Sequence, residues 1–374
     1  MSDTAEFLVI GGGIAGVSVA SALAAHGRTI VLEMEERPAF HSTGRSAAFY
    51  AAGYGNEAIR TLTTAGQAFF YAPPDGFTDA PLIRRRDWIF VARGDQLLAL
   101  ADLQQSLGDG VARISGQAVE SRLPILRSGY VAAALIDRRG GDLDVDALLQ
   151  GYVRLLRKRD GMLICNARVT ALARERGQWC ATTTAGEFSA PVVVNAAGAW
   201  ADHVAALAGL QPIGIEPKRR TAILVDVSGH ETIADWPLIM DVDEEFYFKP
   251  DAGRILLSPA DETPSEPCDA QPDEIDVAYA VDKFERATTV EVRRVSHKWA
   301  GLRVFAPDRS PVAGFDPRAQ GFFWLAGQGG YGVQTAPGLS QFAMSMLTSA
   351  APAVDFESVI NLRSALSPAR FFTA

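Results

Sequence analysis

Along residues 7–10 the apolar positions form an unbroken run, Phe7-Leu8-Val9-Ile10, that ends in Gly11-Gly12-Gly13-Ile14-Ala15-Gly16. A short apolar run closed by glycines predicts a strand buried on both faces. Residues 17–26 are rich in Ala and Leu, are stopped by Gly27, and predict a helix. Thr29-Ile30-Val31-Leu32-Glu33 then reads as a second buried strand ending in an acid. The three segments make one βαβ unit.

Farther on, the pattern predicts helices over residues 59–70, 97–107, 143–157, 273–288 and 336–347. In the third of these the apolar positions are Leu148, Leu149, Val153 and Leu156. Strands are expected over 87–92, 130–136, 163–165, 169–172, 220–227, 245–249, 255–258 and 321–326, with a hairpin at Ala185-Gly186. Residues 191–200 read as a buried strand broken at the small-residue turn Asn195-Ala196-Ala197-Gly198-Ala199-Trp200. The last strand runs into Gly327-Gln328-Gly329-Gly330-Tyr331-Gly332. No internal repeat or low-complexity tract is present.

The glycine pattern adds chemistry to the βαβ unit. GxGxxG is met at Gly11, Gly13 and Gly16: the first permits a sharp turn, the second lets backbone approach a pyrophosphate, and the third lets helix and sheet pack closely. Glu33, about twenty residues on, is placed to accept from ribose hydroxyls. Ser42 and Thr43 are good N-caps, so a helix beginning there would offer N–H groups to an anion beside Arg45; the plainer reading is a loop with a solvent-facing arginine.

With 374 residues, 48% of them hydrophobic, the chain can bury a large core and is expected to make two domains. A net charge of −9 argues against a nucleic-acid surface. The basic runs Arg84-Arg85-Arg86 and 154–159 are assigned to solvated faces or helix C-termini. Cys165, Cys180 and Cys268 form no disulfide framework or zinc site, and His26, His41, His203, His230 and His297 lack metal-ligand spacing, so each is expected at the surface or in the core. No apolar run reaches the ~18 residues of a membrane span, and the expectation is a cytoplasmic protein without a signal peptide.

A nucleotide fingerprint at the N-terminus, a small-residue strand end at mid-chain and a second glycine turn near the C-terminus form a discontinuous site. In these features the chain resembles the D-amino-acid oxidase-like superfamily of flavoproteins. The stretches His41-Ser-Thr-Gly-Arg-Ser-Ala-Ala48, Val194-Asn-Ala-Ala-Gly-Ala-Trp200, Pro217-Lys-Arg-Arg220, Phe246-Tyr247, Lys249-Pro-Asp-Ala-Gly253, Trp299-Ala-Gly-Leu-Arg303 and Gln328-Gly-Gly-Tyr-Gly332 resemble in particular the bacterial FAD-dependent D-arginine dehydrogenases. The resemblance covers essentially the whole chain. It implies a mixed α/β and α+β fold: a Rossmann-type (GR2-like) FAD-binding domain from residues 1–50, 138–212 and 298–374, with a discontinuous antiparallel-sheet substrate domain from 51–137 and 213–297.

The cofactor implied is FAD, bound non-covalently, because residues 299–311 lack the cysteine that sarcosine oxidases carry near their flavin. Beyond the fingerprint glycines, Ile14, Ala15 and Glu33, the resemblance assigns FAD contacts to Ser42, Thr43, Arg45, Ser46 and Ala48. Val169, Ala197, Gly198 and Trp200 supply others. Gly301, Arg303, Gly329, Gly330, Tyr331 and Gly332, with Val333 and Gln334, complete the set.

The small-molecule substrate implied is an amino acid. Arg220 and Arg303 form a carboxylate clamp, Tyr247 and Tyr54 add hydroxyls, Tyr54 in Gly53-Tyr54-Gly55 also serves as a lid, and the Gly330 carbonyl orients the amine. By residue type alone, such arginines are surface ion pairs and such tyrosines core residues; the motif match reverses that. Where the D-arginine enzymes carry a histidine, a threonine and a glutamate against the distal end of the substrate, this chain has Phe49, Ala51 and Trp88, although a shift of one residue would put Asp87 in the glutamate's place. Apolar replacements imply a D-amino acid with a neutral or apolar side chain. Competing readings are a glycine/sarcosine-type oxidase, a 2-hydroxy-acid dehydrogenase, and a non-catalytic flavin-binding redox subunit. No motif selects oxygen, a quinone or another electron acceptor.

Overall fold

The structure is a computed structural model that describes residues 3–227, 233–351, 359 and 361–372. His230 lies outside the described residues. The first βαβ unit forms as its pattern predicts: Phe7–Ile10 and Thr29–Leu32 pair in parallel around the helix Ile14–Leu23. They are central strands of a six-stranded sheet ordered Met162–Ile164, Thr29–Leu32, Phe7–Ile10, Val192–Asn195, Phe322–Ala326, Val312–Phe315, all parallel except the last pair.

Both faces of this sheet are covered, which is why its strands read as continuous apolar runs rather than as alternations. Leu8, Ile10, Ile30 and Leu32 pack on Trp179, Ala181 and Phe188 of a smaller four-stranded sheet. Phe7, Val9 and Val31 face the helical layer, which includes Val19, Leu23, Leu156 and Leu339. The helix Ile14–Leu23 lies between that sheet and the helices Val145–Lys158 and Gly332–Thr348, and its composition of Ala, Val, Ser and Leu without a polar face follows from burial on all sides.

The second large element is a ten-stranded sheet, antiparallel except where Leu238–Asp241 runs beside Trp88–Ala92. Its period-2 pattern sorts side chains between two faces. Ile89, Val91, Ile223, Ile239 and Phe248 pack beneath the helix Glu274–Ala287, whereas Trp88, Phe90, Ala222, Met240 and Tyr247 face the other way.

Several expectations change. Residues 299–303 lie within an eleven-residue strand, Val295–Phe305, paired along Glu216–Val225; Ala300, Leu302 and Val304 alternate onto its buried face, while His297 and Lys298 before them are exposed. The helix expected over 336–347 starts at Gly332 and carries Pro337 within its first two turns. The expected helix at Ser42 is a single 3-10 turn, Ser42–Arg45. Arg84 and Arg85 are exposed, but Arg86 is buried against Asp142 and the carbonyl of Trp236. No helix among the described residues is long and apolar enough to cross a membrane.

The glycine approach at the head of the first helix is a steric requirement. Gly11 has φ +112°, and a Cβ at Gly16 would lie 1.8 Å from the Gly11 carbonyl oxygen. Overpacking against backbone costs roughly 1–3 kcal/mol or more. Gly16→Ala should therefore lower the urea midpoint of unfolding followed by circular dichroism; an unchanged midpoint would show that the helix can lift away from the strand freely.

Candidate functional site

A large cavity opens where the C-terminal ends of the parallel strands meet the inner face of the large sheet. Part of its wall is Ile10, Gly11, Gly13, Ile14, Ala15 and Glu33. Glu33 holds the loop: its carboxylate accepts from the N–H of Gly12 at 2.6 Å and of Glu35 at 2.9 Å. Burial pushes its carboxyl above the usual range, and those two N–H donors pull the other way without cancelling the shift. Gly16 lies off the wall and serves the packing described above.

Two helices begin at this wall. Their first N–H groups have no intrahelical acceptor, so the helix Ile14–Leu23 presents donors there; Thr43 Oγ1 takes the N–H of Ile14 at 3.0 Å. The helix Gly332–Thr348 begins beside it: a Cβ at Gly332 would sit 3.8 Å from Cγ2 of Ile14. Val333 and Gln334 are also on the wall, but the Gln334 amide is occupied by the backbone of Ala51 and by Thr63. Val169, Ala197, Gly198 and Trp200 line the opposite turn.

The segment 42–48 lies on the cavity wall and is laced to the strand Val295–Phe305. Ser42 Oγ donates to the Leu302 carbonyl at 2.7 Å, and the Trp299 indole donates to the Arg45 carbonyl at 3.1 Å. The Arg45 guanidinium bonds to the carbonyls of Ala270 and Ala300 and to Asp269 at 2.5 Å, so in this arrangement it braces the 269–270 loop. Ser46 Oγ accepts from Ala48 N–H, while Ala48 and Gly301 line the wall.

Arg220, Tyr247, Arg303 and Tyr54 come together although they lie far apart in the chain, because Glu216–Val225 and Val295–Phe305 are neighbours and Tyr247 sits on the same sheet face. Arg303 Nη1 donates to the Tyr54 hydroxyl at 3.1 Å, and that hydroxyl donates to Glu244 at 3.1 Å. Gly330 is pressed against Arg303: a Cβ there would lie 2.6 Å from Cζ of the arginine. Gly329 is also on the wall. Tyr331 is not; its ring packs on Tyr54 at 4.8 Å.

Phe49, Ala51 and Trp88 share the remaining wall with Leu238 and Met240. Trp88 stands edge-on to Tyr54 at 5.3 Å and to Phe49 at 6.1 Å. Asp87 does not take the acidic position: it is turned away from the cavity and pairs with Arg122 at 2.8 Å. In a strand, adjacent residues point to opposite faces, so Trp88 inward means Asp87 outward.

Two histidines expected at the surface or in the core line the cavity instead. His41 bonds to Glu35 at 3.0 Å and packs on Trp200 at 4.6 Å; His203 lies on the same wall. Neither has a local sequence signal, since both gain their place from packing across the fold. Among the lining residues Glu33 is the one carboxylate, against Arg45, Arg168, Arg220 and Arg303. Such a wall suits an anionic ligand. Paired helix N-termini, glycine backbone at close approach and the buried Glu33 fit a dinucleotide. Among the described residues no cluster of His, Cys, Asp or Glu could hold a metal ion.

The family model described as FAD dependent oxidoreductase (DAO) matches residues 6–345. The chain is 26% identical over 274 residues to the mitochondrial dimethylglycine dehydrogenase of Homo sapiens, covering 69% of this chain and 30% of that protein. It is 22% identical over 384 residues to the 4-methylaminobutanoate oxidase (formaldehyde-forming) of Paenarthrobacter nicotinovorans, covering 94% and 44% respectively. The chain thus spans less than half the length of either relative. Among solved structures, L-proline dehydrogenase from P. horikoshii superposes with a TM-score of 0.82 at 21% identity, over 99% of this chain and 98% of the other. Glycine oxidase from Geobacillus kaustophilus gives 0.82 at 19%, over 96% and 98%. At these identities the likeness is one of fold.

Glu33 generates a direct test. Truncation to alanine removes the acceptor for two loop N–H groups, and an unmet buried donor costs ~1–3 kcal/mol. Glu33→Ala should retain at least tenfold less FAD through gel filtration, read by absorbance, with circular dichroism unchanged. Full FAD retention would contradict a role for this carboxylate in holding the loop for its ligand.

Proposed function

Because the chain belongs to the FAD dependent oxidoreductase (DAO) family and its cofactor is accordingly FAD, we propose that it oxidises a D-amino acid with a neutral or apolar side chain. The substrate loses two electrons and two protons across its Cα–N bond. The imino acid formed is hydrolysed by water to a 2-oxo acid and ammonia. FAD, when bound, supplies the two-electron oxidant. In this reading residues 1–50, 138–212 and 298–374 hold FAD non-covalently, and residues 51–137 and 213–297 frame the substrate.

The observation that carries the reading is the division of the wall between a cationic, hydroxyl-bearing patch and an apolar aromatic one. Arg220 and Arg303 grip the substrate carboxylate, with Tyr247 and Tyr54 as further donors. Holding that group fixes the position of Cα, and orientation of this kind is a large part of the rate gain in such reactions. The Gly330 carbonyl accepts from the amine and orients it. Phe49, Ala51, Trp88, Leu238 and Met240 exclude water around the side chain and bring no carboxylate to it. A second reading, oxidation of a glycine-type or N-methylated amine, draws support from the activities named for the dimethylglycine, 4-methylaminobutanoate and glycine enzymes.

Charge decides between neutral and cationic side chains. A guanidinium buried without an acceptor costs more than the ~1–3 kcal/mol of an unmatched neutral polar group, whereas stacking on Trp88 returns only ~0.5–2 kcal/mol. The test is kcat/KM for D-leucine and D-phenylalanine against D-arginine. The wild type should favour the apolar substrates, and Trp88→Glu should shift the ratio toward D-arginine by about tenfold or more, the equivalent of ~1.4 kcal/mol. A wild type that prefers D-arginine by about tenfold would overturn the side-chain assignment, and turnover confined to N-methylglycine would favour the second reading.

A further inference from the structure

An arginine that aligns a carboxylate must itself be aligned, because its long side chain has many rotamers. Arg220 is held from two sides by the loop that follows the strand Arg254–Ser258. Its Nε donates to the Asp261 carbonyl at 2.7 Å, and its Nη2 donates to Oε1 of Glu262 at 3.3 Å. Asp261 fixes the loop to the strand by accepting from Thr221 N–H at 2.7 Å and Thr221 Oγ1 at 3.1 Å. The Nη1 of Arg220 is buried and has no partner among the described residues.

Glu262 is anchored elsewhere. Arg309 grips it with both terminal nitrogens, Nη1 to Oε2 at 3.0 Å and Nη2 to Oε1 at 2.9 Å. The Arg309 guanidinium lies 3.9 Å from the centre of the Phe305 ring, and its carbonyl accepts from Asn56, the cap of the helix Glu57–Ala65. Burial opposes ionisation of Glu262, but Arg309, Arg220 and Arg303 outweigh it and hold the carboxyl below its usual range. The bonds to Arg309 are shorter than the bond to Arg220, so the carboxylate is committed mainly to Arg309 and leaves Arg220 with capacity for another anion.

We propose that Glu262, pinned by Arg309, is a positioning residue that sets the orientation of the Arg220 guanidinium toward the substrate carboxylate. This rests on the reading of Arg220 as part of the clamp. Glu262 does not line the cavity, so it acts through Arg220 and not on the substrate.

The experiment compares Glu262→Ala, Glu262→Gln, Arg309→Met, Arg220→Met and the Glu262→Ala/Arg220→Met double variant as FAD-loaded proteins. One readout is the Kd of propionate, an unreactive carboxylate, followed by the flavin absorbance and independent of turnover; the others are KM and kcat for D-leucine, FAD content and Tm. Loss of orientation at the clamp should raise the propionate Kd and the KM about tenfold in Glu262→Ala and several-fold in Arg309→Met, and should lower kcat as well because the clamp fixes Cα. FAD content should be unchanged, and the isosteric Glu262→Gln should stay within about threefold of wild type because its carbonyl still accepts from Arg220. In the Arg220→Met background, removing Glu262 should change the Kd by less than about twofold. If Arg220→Met raises the Kd while Glu262→Ala and Arg309→Met do not, or if the double variant is additive, the positioning role is overturned and the clamp stands. If Arg220→Met itself leaves the Kd unchanged, the clamp reading fails and the positioning role fails with it.

Discussion

The contact between Gly16 and the carbonyl of Gly11 governs the layout of this molecule. It brings the helix Ile14–Leu23 down onto its strand, so that the helix N-terminus reaches the cavity wall rather than standing above the sheet. Burial on all sides then demands a helix without a charged face. The second helix, beginning at Gly332, reaches the same place from the other end of the chain, and the two N-termini meet at Ile14. Paired positive helix ends make the region an anion site before any side chain is counted.

On the large sheet the governing constraint is the two-residue period. The same strands that bury Ile89, Ile223 and Phe248 beneath the helix Glu274–Ala287 turn Trp88, Ala222 and Tyr247 toward the cavity. The dinucleotide wall and the proposed substrate wall thus lie on two sheets, and the pairing of Val295–Phe305 with Glu216–Val225 belongs to the larger one. Arg303 and Arg220 stand on those paired strands, which sets their separation through backbone hydrogen bonds.

What could be read from the sequence was mostly local. The turn at Gly11, the parallel strands with their apolar runs, and the small-residue turn at residues 196–198 announce themselves because neighbours in sequence make each one. Features created by distant packing were not legible. His41 gains its partner Trp200 across the fold, and Arg86 finds Asp142. Asp87 was ambiguous against Trp88 by one residue, and only its bond to Arg122 and the strand register settle which way it points. Residues 299–303 stood out by motif, but the strand Val295–Phe305 that carries them was not read, since exposed His297 and Lys298 break its apolar character before the alternation of Ala300, Leu302 and Val304 begins. Glu262 carries no motif at all; its place follows from Arg309, which reaches it from a separate turn.

The central claim is that one cavity combines an anion-gripping patch with an apolar wall so as to present an amino acid to FAD. The most direct measurement is anaerobic mixing of the FAD-loaded protein with single D- and L-amino acids and with N-methylglycine, following the flavin absorbance band. The account predicts that neutral and apolar D-amino acids bleach the band, while their L-enantiomers leave it intact. A band that no amino acid bleaches, or that only N-methylglycine bleaches, would contradict it.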